Sequence, residues 1–129
     1  MANDRRQNPP PRWPRWVFRV TSTVAAVLLF DQAVFAGQFL DGTFGSLHTH
    51  RENATYAGIS VLVSAVAAVL VRWPGRGPWW PIVASLGIFA LIAVQIMLGF
   101  ARAIALHVPL GVATIGLAAA LAVWAWRRP

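Results

Sequence analysis

The chain has 129 residues, 57% of them hydrophobic and only 12% charged, with a mean hydropathy of +0.58. A soluble domain of this size keeps too much surface in water to hide such apolar content, so the solvent has to be lipid. Its 11 basic residues outweigh 4 acidic ones to give +7, and every one of the 11 is Arg. They sit at the ends of apolar runs, a pattern of membrane topology that argues against a nucleic-acid partner. With no Cys, disulfides, thiolate metal sites and Cys nucleophiles are excluded.

Residues 1–15 read as a basic, disordered cytoplasmic tail, since Pro9, Pro10 and Pro11 cannot continue a helix. The apolar segment that follows is too long for the h-region of a cleaved signal peptide. Four spans are predicted: 16–39, 50–71, 80–101 and 106–126. Each approaches the ~20 residues needed to cross a hydrocarbon core of ~30 Å. None shows the alternation of a barrel strand. Gly42 and Gly45 break the chain after the first span, Pro74, Gly75, Gly77 and Pro78 after the second. The third connection, near 102–105, is short. The fold expected is all-α: an up-down-up-down bundle of four transmembrane helices.

Orientation follows from charge. Arg5, Arg6, Arg12, Arg15, Arg19, Arg72, Arg76, Arg127 and Arg128 share one side, which the positive-inside rule makes cytoplasmic; only Arg51 and Arg102 lie opposite. All seven Trp residues fall at that same boundary, where an apolar ring with one N–H is best solvated. Both termini are therefore expected inside, in a multi-pass protein of the inner (plasma) membrane.

A weak internal repeat links the two hairpins. Leu47-His48 with Ala54-Thr55 aligns without gaps to Leu106-His107 with Ala113-Thr114, and Gln32 with Gly37 resembles Gln95 with Gly99. Such a parallel repeat would turn about an axis along the membrane normal, its midline lined by Gln32, Gln95 and the histidines.

His48, His50 and His107 all map to the non-cytoplasmic half. His50 lies ~31 Å from Val71 and His107 ~28 Å from Trp126 along ideal helices, so the two reach similar depths. Two imidazoles at one level on two helices of a bundle could ligate a single haem iron from opposite faces. Ala54 and Gly111, one turn further along, would let a flat macrocycle approach. His48 and His50 are about 200° apart around a helix and cannot both face one pocket; matched depth favours His50, the ungapped repeat favours His48. The plain alternative is that these are exposed interfacial histidines. A third reading combines His48, His50 and His107, with Asp41 or Glu52, into a zinc or copper site. Arg51 and Arg102 beside the histidines would suit carboxylates such as haem propionates, or equally lipid headgroups. Asp31, Gln32 and Gln95 lie at membrane depth, where a polar group is a functional candidate or interhelical glue, the latter as an Asp31–Gln95 hydrogen bond. Pro109 is expected in the first turn of the last span, where a missing N–H costs nothing. Gly and Ala faces could pack against partner helices or a second copy, making the chain a non-enzymatic subunit. No carboxylate pair supports a stand-alone hydrolase.

The sequences HRENA opening the second span and LHVPLGVATIGLA opening the fourth resemble small four-helix bacterial membrane proteins. These are similar to one half of haem A synthase and to cytochrome b-like four-helix bundles. The likeness spans 16–126 and rests on Gln32, Gly37, His50, Gln95, Gly99, His107, Pro109 and Gly111. It implies a four-helix fold with His50 and His107 facing one b-type haem and a membrane redox partner. The chain departs from the synthase in having four helices, no cysteine pair and a single Glu, Glu52, which tells against synthase activity. Three histidines also cannot supply the four axial ligands of two haems.

Overall fold

A computed structural model describes residues 9–127. Four helices follow one another: α1 (Trp13–Leu40), α2 (Ser46–Arg72), α3 (Trp80–Phe100) and α4 (Ile104–Arg127). All four are long and apolar enough to cross a membrane, and the described residues contain no strand. The chain is thus a multi-pass, all-α membrane protein. Residues 1–8 of the expected tail, with Arg5 and Arg6, and Arg128 lie outside the described residues.

α1 starts at Trp13, earlier than the tail expectation allowed, because Pro14 falls in the first turn, where proline's missing N–H and fixed φ suit a helix start. α2 starts at Ser46, so His48 and His50 stand on a helix and not on a loop. Pro109 lies inside α4, beyond the first turn that begins at Ile104.

The helices form a square. α1 packs on α2 and α4, α3 packs on α2 and α4, and no close backbone approach joins α1 to α3 or α2 to α4. Small buried residues, Ala57, Gly58, Ser64, Ala65, Ala67 and Ala68, make α2 the most enclosed helix. With no hydrophobic force between helices in lipid, close van der Waals packing of this kind holds the bundle.

At the Arg- and Trp-rich end, α1 and α4 are clamped. Arg19 Nε donates to the Ala125 carbonyl at 3.0 Å, and its guanidinium lies 5.2 Å from the Trp16 ring and 5.5 Å from the Trp126 ring. Trp126 Nε1 donates to Thr23 Oγ1 at 2.9 Å. The turn between α2 and α3 depends on Gly75 and Gly77: a Cβ would stand 2.5 Å and 2.9 Å, respectively, from the Val71 carbonyl oxygen.

At the opposite end α1 and α3 stop in the same way. Thr43 N–H bonds the Gln38 carbonyl and Gly42 N–H the Phe39 carbonyl; Ala103 N–H bonds Leu98 and Arg102 N–H bonds Gly99. Both are Schellman caps. The left-handed position is Gly42 (φ 94°) in one and Arg102 (φ 56°) in the other.

The repeat is visible in burial. Buried Phe18, Ser22, Ala25 and Leu29 of α1 precede buried Pro81, Ser85, Ile88 and Ile92 of α3 by the interval from Gln32 to Gln95. Buried Ala57, Val61, Ser64, Ala65 and Ala68 of α2 precede buried Thr114, Ala118, Leu121, Ala122 and Ala125 of α4 by the interval from His50 to His107. The two intervals differ because the first hairpin is longer around its connection. The ungapped alignment of His48 with His107 is therefore out of register, and so is that of Gly37 with Gly99.

A paired-histidine site at one end of the bundle

His50 and His107 face each other from the diagonal helices α2 and α4, with ring centres 6.2 Å apart and planes at 62°. Each ring is anchored identically. His50 Nδ1 is 3.0 Å from the Gln32 carbonyl oxygen of α1, and His107 Nδ1 is 3.0 Å from the Gln95 carbonyl oxygen of α3. A carbonyl only accepts, so each Nδ1 carries a proton and donates; in the neutral imidazole the lone pair then lies on Nε2. A main-chain carbonyl that sets tautomer and ring orientation is the arrangement seen behind metal-binding histidines.

Two glycines border the site, with room for a Cβ but little more. A Cβ on Gly99 would meet His107 Cε1 at 3.4 Å, and one on Gly111 would meet the Gln95 side-chain nitrogen at 3.6 Å. A Cβ on Gly37, by contrast, would meet nothing beyond its own stretch of helix within 4 Å. The side-chain Nε2 atoms of Gln32 and Gln95 are buried without a hydrogen-bond partner. The expected Asp31–Gln95 bond is accordingly absent; α1 and α3 occupy opposite corners of the square. Asn53, one turn along from His50, donates from Nδ2 to the Leu28 carbonyl at 2.8 Å and further ties α2 to α1.

His48 is turned away. Its side chain is 78% exposed and its Nε2 lies 3.3 Å from Glu52 Oε1, one turn on along the same helix. Among the described residues no group of three or more His, Cys, Asp or Glu is placed to hold a metal ion, so His48, His50 and His107 are not assembled into one cluster. Asp41 is exposed. Arg51 and Arg102 are both exposed at this end, and the Arg51 guanidinium lies 5.8 Å from the ring of Phe100, which closes α3. The carbonyl anchors were missed by sequence reasoning, since main-chain acceptors carry no residue signature.

Compared with protein-family models, curated proteins and solved structures, the chain matches none.

Proposed function

We propose that the chain is a membrane haem protein that holds one b-type haem between His50 and His107 near the outer leaflet, for electron transfer or haem handling. The approach of the two rings carries this reading: imidazoles from two different helices, with centres 6.2 Å apart, are close enough that one metal ion between them could be held by both His50 and His107.

The donor set agrees. Both rings are held with Nδ1 donating, so Nε2 is available in the neutral form that binds iron. The haem iron supplies one-electron redox chemistry. The chain would supply two oriented imidazoles and, in Arg51 and Arg102, two cations suited to propionate carboxylates. Arg102 occupies a left-handed position where Gly would cost about 1 kcal/mol less.

The test is an absorption spectrum of the full chain purified in detergent after expression with haem supplied. The expected result is a Soret band that shifts on dithionite reduction, is retained in His48→Ala and is lost in His107→Ala or His50→Ala. A colourless protein that takes up no added haem overturns the proposal and leaves a packing subunit.

A further inference from the structure

We propose that the bundle interior, on the side toward the Arg- and Trp-rich end, is a binding site for a single resident water molecule, held by the hydroxyls of Ser64 and Ser85. A cavity of about 10 Å³ lies there, lined by four repeat-related pairs, among them Ser22 with Ser85 and Ser64 with Leu121. It therefore sits on the axis that relates the two hairpins. Its volume is the room of one water.

The polar groups around it are of the right kind and number. Ser64 and Ser85 are 2% and 0% exposed, and the Oγ of each is buried with no hydrogen-bond partner. A helical serine ordinarily turns back to a carbonyl of its own helix, as Ser22 does to Arg19 at 3.2 Å and Ser60 to Ala57 at 2.8 Å. Ser64 and Ser85 do not. A buried hydroxyl left unpaired costs about 1–3 kcal/mol, and nothing in the apolar remainder of the lining can repay it. A water accepting from Ser64 and Ser85 and donating to the free lone pair of Ser22 Oγ makes three hydrogen bonds, the usual number for a buried water. A hard cation needs about six oxygens, twice what three serines offer, and no carboxylate lines the cavity. The ligand is neutral. It joins α1, α2 and α3 on the Arg- and Trp-rich side of the bundle, away from the histidines, and it does not depend on whether haem binds there.

A high-resolution crystal structure of the full chain grown from lipid tests this directly. Expected is a density peak within hydrogen-bonding distance of both Ser64 Oγ and Ser85 Oγ. A dry cavity, with the hydroxyls turned to the Ser60 and Pro81 carbonyls or to one another, overturns it. Thermal melts in detergent give a second measure: Ser64→Ala and Ser85→Ala share one water, so the double variant should lose clearly less than the sum of the two single losses. Additive losses sink the proposal.

Discussion

Gly99→Val is expected to displace His107 and to weaken the proposed haem binding by about 10–100-fold, the range found when a group orienting a metal ligand is lost. The Cβ alone would sit 3.4 Å from Cε1 and 3.7 Å from Nδ1 of the ring, a contact that needs a give of only a few tenths of an ångström. Gly99→Ala should therefore stay within about threefold of the parent, helped by the up to ~1 kcal/mol by which Ala outranks Gly in a helix. Valine adds two γ carbons about 1.5 Å further out, held in a narrow range of χ1, and the ring cannot keep its place beside both. Moving it breaks the 3.0 Å bond to the Gln95 carbonyl, worth about 1 kcal/mol. Haem titration followed at the Soret band measures the affinity, and the 15N resonances of the His107 side chain report the Nδ1–H bond without any cofactor. Gly37→Val, placed where nothing lies within 4 Å, is the matched control and should behave as the parent. Parental affinity and an unchanged His107 15N signature in Gly99→Val would refute the steric reasoning.

Arg102→Gly relieves a left-handed residue and should stabilise the bundle by about 1 kcal/mol, seen as a higher Tm, while weakening the proposed haem binding. Phe18→Ala removes a side chain that is 2% exposed and stands edge-on to Trp124 at 6.4 Å. Because lipid is as apolar as the core, only the cavity part of the usual cost applies, about 24 cal/mol per Å³ over roughly 100 Å³, or about 2.4 kcal/mol, read by thermal melts in detergent. The chain has no Cys, so single cysteines in Thr43→Cys and Trp79→Cys report topology alone. A membrane-impermeant maleimide added to intact cells should label the first and spare the second, and the reverse pattern would invert the orientation.

The limits of the sequence are clearest at the histidines. Spacing showed that His48 and His50 cannot face one pocket, but which one turns inward depends on the rotation of α2 against α1. That rotation is set by Asn53 reaching the Leu28 carbonyl and by the small buried face from Ala57 to Ala68, packing that no linear reading resolves. The ungapped alignment misled for a related reason. The connection after α1 is longer than that after α3, so identities around Leu47-His48 and Leu106-His107 coincide in text but not in space.

Sequence alone determined that this chain lives in lipid, crosses it four times and places most of its arginines and all of its tryptophans at one face. Those properties follow from bilayer thickness and the cost of charge in hydrocarbon, which act on each segment separately. The tertiary structure decided which imidazole meets His107, what holds each ring, and that unpaired serines converge on the axis. Such facts belong to several helices at once, because the phase and depth of one helix against another are set by shape complementarity across the whole bundle.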